Sequence, residues 1–138
     1  MKKLFLTLAL FSPLLLAGTV MAQIDQEYEA ITSSQLAKQP PLNATDLQLF
    51  IKLATGINKL KSAPDRLAFM EKFLWDNNTS LIRVRYISEK VPYVLRQVRD
   101  PNFKETSGRD KRWLKPTANE LKLVQDNQDE LHKALQSR

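Results

Sequence analysis

Apolar residues recur at intervals of three and four along most of residues 45–138, and this period limits the chain to helices. Only one stretch, Ile82-Arg83-Val84-Arg85-Tyr86, alternates apolar and basic residues as a strand would. A strand needs a partner, and no other segment alternates so clearly. The same region also fits helical spacing through Val84, Ile87, Val91, Val94, Leu95 and Val98. Thr79 to Asp100 therefore reads as a helix, kinked at Pro92 where one backbone bond is lost and ended by Asp100-Pro101.

Start and stop signals divide the remainder. Thr45 with Gln48 forms a T-x-x-Q capping box for a helix over about 46–61, whose apolar face is Leu47, Phe50, Ile51, Ala54, Ile57 and Leu60. Gly56 lowers the propensity of that helix and can admit a neighbouring helix at close range. Ser62, with Pro64 in the first turn, starts a second helix that runs to about Trp75. Asp76-Asn77-Asn78 stops it, because Asn tolerates the left-handed conformation. Thr117 and Glu120 form a T-x-x-E box for a last helix to about Gln136, with Leu121, Val124, Gln128, Leu131 and Leu135 inward. The expected fold is all-α, a small four- or five-helix bundle over 45–138 with a long basic loop at 101–116. Residues 23–44 read as a polar lead-in, with one short helix over Tyr28–Lys38 ended by Pro40-Pro41.

The first 22 residues set the expected location. Lys2 and Lys3 precede an apolar run from Leu4 to Ala17, and Val20 and Ala22 supply small residues for cleavage before Gln23. This is the pattern of a secretory signal peptide, and the run is short for a membrane span. The expected location is periplasmic or secreted, from a bacterium. The mature chain, 23–138, suits one domain. It contains no cysteine, so an exported protein of this kind must be held by packing or by a partner rather than by disulfides. Thiol catalysis, cysteine zinc sites and iron–sulfur clusters are excluded with it.

Charge is unevenly distributed. The whole chain carries +6, and residues 83–115 hold ten basic side chains against four acidic ones. A local positive field favours anionic partners and speeds encounter with them. In an envelope these are lipid head groups, lipopolysaccharide or an acidic protein. Nucleic acid matches the charge but not the location. Within the loop, Arg109, Lys111, Arg112 and Lys115 surround Trp113, with Phe103 nearby. Cations attract from a distance, Arg grips phosphate with two parallel bonds, and Trp settles between apolar and wet surroundings. These six residues form the candidate binding site. The bland reading has Trp113 and Leu114 pinning the loop to the bundle while its charges stay solvated. Arg83 and Arg85 form a shared patch only in a strand, because a helix puts them on different faces.

Other chemistry finds little support. No G-x-S-x-G, H-E-x-x-H or phosphate-binding glycine loop occurs, so no enzyme is expected. Met70 and His132 are a residue pair of the type that ligates haem, but no C-x-x-C-H accompanies them and His132 lies beside its apolar stripe. No cofactor and no metal are expected. The alternative function is a periplasmic chaperone or inhibitor-like protein with an apolar groove between helices, around Phe69, Phe73 and Trp75.

Overall fold

The computed structural model describes residues 24–105 and 108–136, which are helical without any strand. The expected signal peptide over 1–22 and its expected cleavage before Gln23 lie outside the described residues. The helices are α1 (24–30), α2 (Ser33–Ala37), α3 (Ala44–Ile57), α4 (Ala63–Asp76), α5 (Leu81–Arg99), α6 (Ala118–Asp126) and α7 (Gln128–Gln136), with a 3-10 turn at Arg109–Leu114.

The strand-or-helix ambiguity resolves as a helix. α5 runs 19 residues, continues through Pro92, and is the element around which the others gather: α2, α3, α6, α7 and the 3-10 turn all pack against it. Leu81, Val84, Ile87, Val91, Val94 and Leu95 are buried along it, which is the helical stripe rather than the alternating one. The main core joins these to Leu47, Phe50 and Ala54 of α3, Val124 of α6, and Leu131 and Ala134 of α7.

Three local expectations need correction. The supposed lead-in is part of the core: Ile24, Leu36 and Leu42 are all buried. Its single expected helix is two, because Thr32 adopts an extended backbone and forms a capping box with Gln35. The cap of α3 is Asn43 with Asp46, not Thr45 with Gln48. Asn43 holds the extended conformation that an N-cap requires, while Thr45 is already inside the helix and exposed. The last helix is also two. Asn127 breaks it, its side-chain amide donating to the Leu123 carbonyl at 2.8 Å, and this re-aims the following turn. Ala134 then faces inward in place of Leu135, which is exposed. The 101–116 connection, whose order the sequence leaves open, holds the 3-10 turn in its second half.

The remaining signals hold. Ser62 caps α4, with Pro64 in the first turn. Asn78 takes a φ of 47° just after α4, and Asn77 donates from its side chain to the Phe73 carbonyl at 2.9 Å. Gly56 does admit a neighbour. A Cβ there would lie 2.3 Å from Cζ of Phe69, so α4 lays an aromatic ring directly on the α3 backbone.

Two outcomes follow in urea denaturation. Asn43→Ala is expected to destabilise by about 1 kcal/mol, and Thr45→Ala by much less, because only the former removes a cap. Gly56→Ala is expected to destabilise, since displacing the Phe69 ring costs on the order of 1–3 kcal/mol against a propensity gain of about 1 kcal/mol. In a Phe69→Ala background the sign should reverse. A destabilising Gly56→Ala in both backgrounds would show that the ring is not what the glycine accommodates.

Candidate functional site

Three of the ten basic side chains of 83–115, those of Arg83, Arg85 and Lys90, are engaged by the fold. Arg83 lies between three carbonyl or carboxylate groups: it donates to the Pro40 and Pro41 carbonyls and pairs with the buried Asp46 carboxylate. Its guanidinium also sits 4.8 Å from the centre of the Tyr86 ring. Arg85 points elsewhere, donating to the carbonyls of Tyr28 and Ile31 and to Glu89 at 2.7 Å. As the helical geometry requires, the two arginines share no patch.

Lys90 and Glu120 form a buried ion pair, Nζ to Oε1 at 2.9 Å, that sequence reading missed. Lys90 also donates to the Tyr86 hydroxyl at 2.9 Å, and that hydroxyl donates to Glu120 Oε2 at 2.9 Å. The backbone N–H groups of Leu42 and Thr117 complete the carboxylate's shell, at 2.7 and 2.9 Å. Glu120 is thus the reciprocal member of the α6 capping box and the acceptor at the centre of the core. Burial by itself pushes its carboxyl up. The N–H groups of Leu42 and Thr117 and the Lys90 ammonium outweigh that and hold it below the ordinary carboxylate range. Burial, with the bond to the Glu120 carboxylate, pushes the Tyr86 hydroxyl above the usual phenol range. The visible sequence signal was Lys90 itself, standing one turn after Tyr86 within the apolar stripe. Every member of this network is internally satisfied and enclosed, so it serves the fold rather than a ligand.

The basic surface is correspondingly smaller than 83–115. Of the ten basic residues there, seven are exposed: Arg96, Arg99, Lys104, Arg109, Lys111, Arg112 and Lys115. Arg99 pairs with Asp129 at 3.2 Å, and Arg96 approaches Asp100 at 3.7 Å. Lys104, Arg109, Lys111, Arg112 and Lys115 form no ion pair among the described residues. The 3-10 turn explains how four of them stay outside. Gly108 enters it at φ +127°, a backbone state that side chains rarely adopt. The turn then directs Trp113 and Leu114 into the core, with the indole 5.7 Å from the Tyr86 ring. Trp113 therefore belongs to the packing and is not free to anchor a partner, which corrects its expected role. Phe103 is half-buried, packed edge-on to Tyr93 at 5.1 Å and lying 5.5 Å from the Arg96 guanidinium.

The aromatic residues of the expected groove are distributed differently. Phe73 is buried, Phe69 covers Gly56, and the two rings stack at 6.0 Å. Trp75 stands alone at 77 % exposure. Met70 packs beside Ile24 and Leu81, and His132 is half-buried on α7. Among the described residues no three His, Cys, Asp or Glu gather as metal ligands, and no helix is long and apolar enough to cross a membrane. The described residues form a small all-α fold whose exposed cations between 96 and 115 lie at the end of α5, in the loop after it and on the 3-10 turn. Comparisons with protein families, with curated proteins and with solved structures each found no match to this chain.

The ion pair makes a pH prediction. The folded Glu120 carboxyl titrates below the unfolded one, so its stabilisation is complete above the unfolded value of about 4.3 and is lost as pH falls toward the folded value. Glu120→Gln leaves Lys90 buried without a carboxylate and is expected to cost about 3–5 kcal/mol near neutrality. The cost should shrink in acid, and adding Lys90→Met should recover part of it. Urea midpoints across the acid range would check this; a variant-to-parent difference independent of pH would remove the pair from the account.

Proposed function

We propose that this is an exported protein of the bacterial envelope, released by cleavage before Gln23, whose small helical bundle docks on anionic lipid head groups. The carrying observation is the exposed set Lys104, Arg109, Lys111, Arg112 and Lys115, which has no acidic partner among the described residues. The arginines engaged by the fold are half-buried against carbonyls and carboxylates, as Arg83 and Arg85 are. The cations of the 3-10 turn, Arg109, Lys111 and Arg112, are exposed instead. Trp113 and Leu114 fix the turn to the core and keep its cations outward in a defined arrangement.

Mechanistically the first step is electrostatic capture. A cluster of unpaired cations raises the local concentration of anionic surfaces and accelerates encounter. Near an anionic bilayer each basic residue contributes on the order of 1 kcal/mol, so several together give useful affinity without insertion. The attraction reaches only about a Debye length and weakens as salt rises.

Co-sedimentation with phosphatidylglycerol and with phosphatidylcholine vesicles over a salt series tests this, using protein expressed from the full-length sequence. Binding is expected to the anionic vesicles alone, lost at high salt, and abolished by Arg109→Glu/Lys111→Glu/Arg112→Glu. Absence of binding at low salt would overturn the lipid reading and leave an acidic protein as the partner to seek. Equal binding by the reversed variant would remove the 3-10 turn from the contact.

A further inference from the structure

We propose that the cleft beside the C-terminal end of α5 is an organophosphate subsite of this basic face, with Arg96 and Lys104 as its cations. This inference rests on the basic face being the contact surface and names the group it grips.

The cleft is built by a tight reversal of the chain. At the end of α5 the Asp100 side chain accepts from the Asn102 N–H at 2.9 Å, and the Asp100 carbonyl accepts from the Phe103 N–H at 3.1 Å. The reversal folds Phe103 back onto the helix, where it meets the Tyr93 ring at an interplanar angle of 83°. The result is a cleft of about 520 Å³ lined by Pro92, Tyr93, Arg96, Asn102, Phe103 and Lys104.

The polar groups suit an oxyanion. The Arg96 guanidinium lies against the Phe103 ring, a contact that restrains it. Its approach to Asp100, at 3.7 Å, is much longer than a charge-assisted hydrogen bond of about 2.7–2.9 Å. The guanidinium thus retains donors for a stronger acceptor. Lys104 supplies a second, unpaired charge on the same wall, and Asn102 supplies an amide. Two cations match a phosphate, which carries about −1.5 to −2 at neutral pH as a monoester. The volume lies within the range of small-molecule sites, about 300–1,000 Å³, and exceeds what a bare phosphate fills. The aromatic and proline walls face that extra space, so the ligand is a phosphate carried on an organic group. A free organophosphate monoester and the singly charged phosphodiester of a lipid head group share the phosphate oxygens that these donors would bind.

The test uses glycerol 3-phosphate as the soluble probe and phosphatidylglycerol vesicles as the lipid one, with chemical shifts of the Arg96 side-chain N–H and the Phe103 ring as readout. Saturable shifts confined to the cleft are expected, and Arg96→Gln/Lys104→Gln should weaken binding about thirtyfold, the loss of about two cation contributions. Lys59→Gln/Lys61→Gln, which removes two exposed cations that belong neither to the cleft nor to the 3-10 turn, should leave binding of the soluble probe within about twofold. Shifts spread evenly over all exposed cations would overturn the subsite while leaving the basic face intact. Equal affinity for inorganic phosphate would also overturn it, because the organic group would then contribute nothing. Cleft binding of glycerol 3-phosphate without vesicle binding would support the subsite with a soluble ligand and overturn the membrane reading alone. Competition between glycerol 3-phosphate and the vesicles would support the subsite with a lipid one.

Discussion

The Lys90–Glu120 pair is the contact on which the arrangement of helices depends. It joins α5 to the first turn of α6, and through the Leu42 N–H it also holds the segment leading into α3. Tyr86 closes the network, and its ring packs against Trp113, so the 3-10 turn is tied to the same centre. A buried ion pair is weak evidence for net stability, because desolvation offsets much of the attraction. Its consequence here is specificity. A carboxylate with four donors around it has few alternative positions, so its partners fix the register of the elements that supply them.

Arg83 has a parallel role at the other edge of α5. The Pro40-Pro41 segment has no N–H groups of its own to donate, and its carbonyls are satisfied by the guanidinium rather than by a helix. Asp46 links this to the cap of α3, since it accepts from both Arg83 and the Asn43 N–H. The chain before α3 is therefore held by side chains from α5 and α6. The chain contains no cysteine, so no disulfide shares this task.

Once those charges are drawn inward, the surface is easier to interpret. Arg83, Arg85 and Lys90 leave the count of available cations, and the basic face contracts to the end of α5 and the loop beyond it. The same packing places Trp113 in the core rather than on this surface. Aromatic character on this face comes instead from Tyr93 and Phe103, and with it a cleft next to Arg96 and Lys104.

The amino-acid sequence by itself determined the all-α class, the course of α3, α4 and α5, and the stop at Asn77-Asn78. Period, caps and left-handed tolerance are local properties, readable within a few residues. Gly56 was readable too, as a place for close approach, though not which ring would fill it. Only the tertiary structure decided the rest. The T-x-x-E box announced a helix start but could not show that its glutamate would meet a lysine 30 residues earlier in the chain. Thr45-x-x-Gln48 and Asn43-x-x-Asp46 compete as caps two residues apart. The contact between Asp46 and Arg83, 37 residues away, favours the second. Which charges stay in water and which enter the core is likewise a question of what packs over them. A one-dimensional count of basic residues cannot answer it, because burial is set by neighbours distant in the chain.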